Sequence, residues 1–170
     1  MNAKAGSMNL RDQPVVHAMP RETLGEAGKL VWDFLTLFAE RRYAEANTYL
    51  APGCRMLFPG GIEFADCTEL PRRSSATYHW VKKVFERFDE IATADGVVVY
   101  SFGTLRGEWT DGEAFEGVRY IDRFVVRDGK IADQKVWNDL CLAAAARADA
   151  GGNRAPTRRA LKALRSKRGV

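Results

Sequence analysis

Three strand-like runs, residues 97–109, 114–126 and 130–137, are separated by Asp111-Gly112 and Asp128-Gly129. An Asp-Gly pair between runs of alternating apolar residues is a strong hairpin signal, because a tight hairpin needs central residues that accept positive φ. The second half of the chain is thereby committed to an antiparallel meander. A two-residue turn at Asp111-Gly112 would set Thr110 opposite Glu113. Alternation then sets Asp122 opposite Ser101, Tyr120 opposite Gly103, Val118 opposite Leu105 and Glu116 opposite Gly107. The other face would carry Tyr100 with Arg123, Phe102 with Ile121, and Thr104 with Arg119. Asp122 therefore shares a face with apolar residues. It is either a structural acid bonded to Ser101 or a backbone amide, or a carboxyl kept in an apolar pocket for chemistry.

The first half is patterned differently. Residues 1–20 read as an arm. Thr23 followed by Glu26 is a capping-box signature, and Ala27, Leu30, Val31, Phe34, Leu35 and Phe38 share one face of a helix ending near Arg41. A second helix fits residues 43–50, stopped by Pro52-Gly53, and residues 54–58 fit a strand closed by Pro59-Gly60-Gly61. A third helix is expected over about residues 75–88. Tyr78, Val81, Val84, Phe85 and Phe88 would form its buried face, and His79, Lys82, Lys83 and Glu86 its solvated one. Residues 90–94 read as a further strand and 143–150 as a short helix. Helices first and a meander afterwards is an α+β pattern, with residues 21–142 as one domain and 143–170 as an Ala-rich segment and basic tail. A curved sheet around such helices leaves a conical cavity.

Charge and composition narrow the partners. The net charge is +4, but residues 151–170 carry seven basic side chains and no acids, so the remainder stands near −3. That balance argues against a nucleic-acid surface. No apolar run has the length of a membrane span and none resembles a signal peptide, so a cytoplasmic protein is expected. Three cysteines without a CxxC pair, and only two histidines, offer neither a disulfide framework nor a metal cluster. Gly25-Glu-Ala-Gly-Lys29 lacks the spacing of a phosphate loop. The expectation is a protein with no cofactor and no metal.

The segments VWDFLTLFAERRYAEANTYLAPGCRMLFPGG (31–61) and GTLRGEWTDGEAFEGVRYIDRFVVRDGKIADQKVWNDL (103–140) resemble the nuclear transport factor 2-like superfamily, in its SnoaL-like polyketide-cyclase and ketosteroid-isomerase-like branch. The resemblance covers roughly residues 22–142. It implies a conical barrel: a curved, mostly antiparallel sheet wrapped around three helices from the N-terminal half. The superfamily hosts enzymes and pure binding domains alike, so it implies less about activity. The isomerase's first-helix Tyr and its base Asp would fall on Phe34 and Phe58, and both are absent. Its second, hydrogen-bond-donating Asp falls on Asp122. The last-strand Asp of limonene-epoxide hydrolases would fall on Val136. The dehydratase dyad would need an acid near Phe38 and a His near Phe88 or Asp89.

Register and resemblance together predict a site. Its walls would be Phe34, Phe38, Phe58, Tyr78, Phe85, Leu105, Val118 and Val136, with Ser101 and Gln134 as polar contacts. Asp122, Tyr120 and Asn138 would carry the chemistry. The buried acid would stay neutral and donate a proton or a hydrogen bond. The expected activity is that of a cofactor-independent lyase or isomerase on a small apolar, aromatic or polycyclic substrate. The alternative is a non-catalytic binding or association domain. No base is evident in this set. The outward row of Tyr100, Phe102, Ile121 and Trp137 suggests a homodimer through the outer sheet face.

Overall fold

The computed structural model describes residues 9–69 and 77–150. Two compact units are separable, Met1–Trp137 and Asn138–Val170. The first begins with a short 3-10 helix, Arg21–Thr23, followed by α1 (Glu26–Ala39) and α2 (Tyr43–Asn47). Strands β1 (Leu50–Phe58), β2 (Ile62–Phe64), β3 (Tyr78–Thr93), β4 (Gly96–Trp109), β5 (Ala114–Arg127) and β6 (Lys130–Asn138) form one sheet in the order β2-β1-β6-β5-β4-β3. The β1–β6 pairing is parallel, and the β1–β2, β3–β4 and β4–β5 pairings are antiparallel. This is the expected α+β class. In the second unit, α3 (Leu140–Ala150) contains the expected Ala-rich helix. The basic tail from residue 151 and residues 1–8 of the arm lie outside the described residues.

Helix α1 buries Val31, Phe34 and Leu35 against the sheet's inner face, where Phe34 meets Phe124 edge-on at 6.0 Å. The capping box does not form. Thr23 ends the 3-10 helix and its hydroxyl donates to the Pro20 carbonyl at 2.7 Å. Gly25 is the helix cap, and Glu90 of β3 supplies what a capping side chain would. Its carboxylate accepts the Gly25 N–H at 2.7 Å and the Gly28 N–H at 3.0 Å, two of the amides that a helix start leaves unpaired.

The third expected helix requires correction. Residues 75 and 76 lie outside the described residues, and Tyr78 to Phe88 are strand, continuous with the expected strand at 90–94. The misleading signal has a physical origin. β3 carries irregularities between Tyr78 and Trp80 and between Phe85 and Arg87. Each inserts one residue and shifts the alternation by one. Tyr78, Val81, Lys83, Phe85 and Phe88 therefore lie opposite Trp109, Gly107, Leu105, Gly103 and Ser101, the buried face of β4. Four of those five residues fall at helical spacing. Lys83 is the one that breaks it.

The two Asp-Gly turns also differ from each other. Asp128 and Gly129 have φ of 48° and 69°, the signature of a two-residue type I′ turn. At Asp111-Gly112 the Gly112 amide bonds the Trp109 carbonyl at 3.0 Å, and the Trp109 amide bonds the Glu113 carbonyl at 2.9 Å. Three residues form this loop, a type I turn with a left-handed Gly112 (φ 89°). Consequently Gly107 faces Phe115, not Glu116. A bulge then returns the pairing to the expected register at Leu105–Val118, and Gly117 with φ 73° takes the left-handed position it needs. Ser101–Asp122 and Gly103–Tyr120 pair as expected. The wrong turn length and the missing bulge cancel.

Residues 9–20 are not a loose arm. The Ala18 amide donates to the Phe85 carbonyl at 2.9 Å, and the Phe85 amide donates to His17 Nδ1 at 3.0 Å. His17 stacks on Phe85 at 4.3 Å and meets Trp32 edge-on at 4.7 Å. Arg106 donates to the Gln13 carbonyl at 2.7 Å. The segment thus covers part of edge strand β3, whose backbone would otherwise be open to a foreign strand.

Candidate functional site

Between α1 and the inner sheet face lies a cavity of about 480 Å³. Phe34 and Phe38 of α1, Phe58 of β1, Tyr78 and Val81 of β3, and Val136 of β6 make its apolar wall. Gln134 and Lys83 also line it, together with Arg11, Asp12, Glu40, Arg41, His79 and Lys82. An apolar, largely aromatic wall that faces polar and charged side chains suits a small molecule with an apolar body and polar substituents. A second hollow of about 520 Å³ adjoins the start of α1 and the β5–β6 turn. Of its charged groups, Arg21 pairs with Asp33 at 2.6 Å, Lys29 pairs with Glu26 at 2.9 Å, and Arg127 donates to the Asp95 carbonyl at 2.8 Å.

Six predicted residues line the cavity: Phe34, Phe38, Phe58, Tyr78, Gln134 and Val136. Leu105, Val118, Tyr120, Ser101 and Asp122 are buried in the packed layer of β4 and β5 and are not part of its lining. Phe85 packs with His17, Trp32 and Phe88 instead. Asn138 Oδ1 accepts the Leu140 amide at 3.1 Å at the entry to α3. His79, expected to be solvated, is half-exposed and bonds Glu108 at 2.9 Å.

Asp122 connects the buried layer to the cavity. Its side chain is fully buried, and Oδ2 accepts from Lys83 Nζ and, at 3.2 Å, from Gln134 Nε2. Asp122 Oδ1 has no partner among the described residues. The Ser101 bond considered from sequence is not made; Ser101 pairs with the Tyr120 hydroxyl at 2.9 Å. Lys83 Nζ sits 4.0 Å from the centre of the Tyr120 ring, so the amine rests on an aromatic face while touching a carboxyl. Gly103 makes this possible. A Cβ there would sit 3.1 Å from Tyr120 Cε1 and 2.0 Å from the Val84 carbonyl oxygen.

Sequence reasoning missed Lys83, because a helical reading of residues 75–88 puts it on the wet side. The available signal was the run Val81-Lys82-Lys83-Val84-Phe85, in which strand alternation places Lys83 with Val81 and Phe85. Its side chain is 21% exposed and reaches the cavity, which supplies a basic group that the predicted set lacked.

Burial governs the acidities. It raises the Asp122 carboxyl above its ordinary value, opposed by Lys83 and Gln134. It lowers the Lys83 amine, opposed by Asp122. Both directions arise from removing a charge from water, and both favour passing a proton from amine to carboxyl. The Tyr120 phenol is raised by burial and remains protonated.

Among the described residues no cluster of three His, Cys, Asp or Glu side chains could hold a metal ion, and no helix is long and apolar enough to cross a membrane. No family model matches the sequence, and none of the curated proteins does. Solved structures match in shape. A protein of unknown function from Burkholderia pseudomallei, described as nuclear transport factor 2-like, aligns with a TM-score of 0.59 at 15% identity, over 71% of this chain and 95% of that one. The fold is nuclear transport factor 2-like. TerC, co-crystallised with polyporic acid, shares it with a TM-score of 0.59 at 16% identity, over 69% of this chain and 95% of its own. A candidate polyketide cyclase from Xanthomonas campestris gives 0.54 at 17% identity, over 69% and 93%. At these identities the nuclear transport factor 2-like likeness concerns architecture alone.

Proposed function

We propose that the cavity is the active site of a cofactor-independent lyase or isomerase acting on a small, mostly apolar, aromatic or polycyclic substrate. The observation carrying this reading is the Lys83–Asp122 pair at the boundary between a packed core and a hollow with one aromatic wall. An ion pair whose carboxyl is fully buried adds little to stability compared with apolar side chains of similar size, so one that also reaches a ligand-sized cavity calls for a chemical role. Lys83 exchanges protons with the bound molecule. Asp122 holds the amine, and acts as the buried acid that takes up and returns its proton. Gln134 steadies the carboxyl, and the ring walls select flat substrates. Elimination of water, a double-bond shift, ring closure and retro-aldol cleavage all need such a proton shuttle. The fold's occurrence in a candidate polyketide cyclase and in a protein crystallised with polyporic acid is in keeping with this reading.

A bicyclic aryl ketone such as 2-tetralone tests it. In D₂O, the protein should accelerate loss of the ketone's α-protons, followed by NMR, and Asp122→Asn and Lys83→Met should abolish the acceleration. Binding of the ketone without exchange would favour a non-catalytic receptor, the reading to which Phe at positions 34 and 58 lends some weight. We also propose a homodimer through the outer sheet face, where Ile121 is 39% and Trp137 52% exposed. Ile121→Glu should then yield a monomer in sedimentation velocity.

A further inference from the structure

Lys83 and Lys82 are adjacent in sequence, and both reach the cavity lining, yet their amines are used differently. Lys82 Nζ is tied to the Arg11 carbonyl, an acceptor that cannot take a proton from it at neutral pH. Lys83 Nζ touches a carboxyl and lies on the Tyr120 ring, and the residue lines the hollow. A proton acceptor in contact with the amine, an aromatic bed beneath it and a place on the wall of a ligand-sized hollow are conditions under which an amine becomes a nucleophile.

We propose that Lys83 forms a covalent Schiff base with carbonyl substrates, aldehydes or ketones carrying an aromatic body, with Asp122 as the proton carrier for its formation. This rests on the cavity being the active site and goes beyond it by giving the substrate class and a covalent intermediate. The Lys83 ammonium first passes one proton to Asp122. The freed nitrogen lone pair bonds to the carbonyl carbon while the C=O π pair moves to oxygen. A proton transfer from nitrogen to that oxygen leaves a carbinolamine. Asp122 returns its proton to the hydroxyl, the C–O bond breaks, and water departs as nitrogen and carbon form the iminium. One water leaves, one positive charge is retained on nitrogen, and the Asp122 carboxylate beside it is the counter-ion. Asp122 Oδ2, which already accepts from the amine, takes the proton along that hydrogen bond. An iminium draws electrons from the neighbouring carbon, which suits retro-aldol cleavage and double-bond shifts alike.

The direct test is trapping. Incubating the protein with 2-naphthaldehyde and sodium borohydride should add a single naphthylmethyl group. Peptide mapping should place it on Lys83, formed at least about tenfold faster than on any exposed lysine. The adduct should vanish in Lys83→Arg, persist in Lys135→Arg on the outer face, and form more slowly in Asp122→Asn. Mapping on the unaltered protein keeps the test decisive if a variant fails to fold. Labelling spread over the lysines without preference, or absent from Lys83, overturns the covalent step. If deuterium exchange into 2-tetralone still depends on Lys83 in that case, the acid–base reading survives alone. If exchange is absent too, both fail.

Discussion

Adjacent residues of β5 make ion pairs on opposite sides of one sheet. Asp122 points inward to Lys83 and has no exposed surface, whereas Arg123 points outward to Asp133 at 3.1 Å, with side chains 27% and 29% exposed. Water still screens the outer pair, so it can form or break at small cost. In the inner pair Lys83 keeps 21% of its side-chain surface but Asp122 keeps none, so the carboxylate cannot lose its partner cheaply. The outer pair is of the kind any sheet surface carries. The inner one is tolerated because something other than stability maintains it.

The sharpest way to break this contrast is Lys83→Met, which should destabilise the protein by about 3–5 kcal/mol at pH 7 by stranding a buried carboxylate. Urea unfolding at two pH values checks the sign. Asp122 has a raised pKa in the folded state, and without Lys83 the largest opposing influence disappears. The folded form then penalises the ionised carboxyl but not the protonated one. The deficit should therefore shrink as pH falls towards the ordinary carboxylate value of 3.8. Adding Asp122→Leu to Lys83→Met should restore stability to the parent level or above; a double variant as weak as the single would mean that the pair is not what burial penalises.

Asp122→Asn keeps the shape and removes the proton carrier. The deuterium exchange rate should fall by about two to four orders of magnitude, with ketone binding little changed.

The third prediction concerns the segment over edge strand β3. Burial and Arg106 lower the His17 pKa below 6.5, and its Nδ1 accepts the Phe85 amide, so docking requires the neutral ring. As pH falls through 6.5 the released form binds a proton that the docked form refuses, and docking weakens. Exchange of the Phe85 amide, corrected for intrinsic rate, should quicken between pH 7.5 and 5.5, and His17→Phe should remove that dependence. The bond itself contributes about 1 kcal/mol. Smallest of all, Arg123→Ala should change stability by no more than about 1 kcal/mol; a larger loss would show that the outer pair is structural after all.

The sheet was legible where its rules are local. Asp128-Gly129 forms the turn its chemistry demands, and the alternation over residues 100–105 and 118–124 matches the buried face. Asp111-Gly112 was less legible, because the same dipeptide also serves a three-residue loop; only the bulge at Gly117 rescued the register around Asp122. β3 was illegible for a related reason. Two irregularities spaced its inward residues like those of a helix, and periodicity cannot distinguish a bulged strand from a helix over ten residues. Misplacing β3 hid Lys83, and with it the basic half of the candidate site. Glu90 was equally invisible, because its partnership with α1 spans more than sixty residues and leaves no local trace.

That distant carboxylate has a consequence for ligand size. β3 carries both Lys83 and, roughly 20 Å further along, the clasp that grips the first turn of α1. The helix bearing Phe34 and Phe38 is thus moored to the same strand that presents the amine. A guest too thick for the gap must prise Gly25 and Gly28 off Glu90 before the wall can yield, so the hollow should reject oversized molecules instead of stretching to admit them.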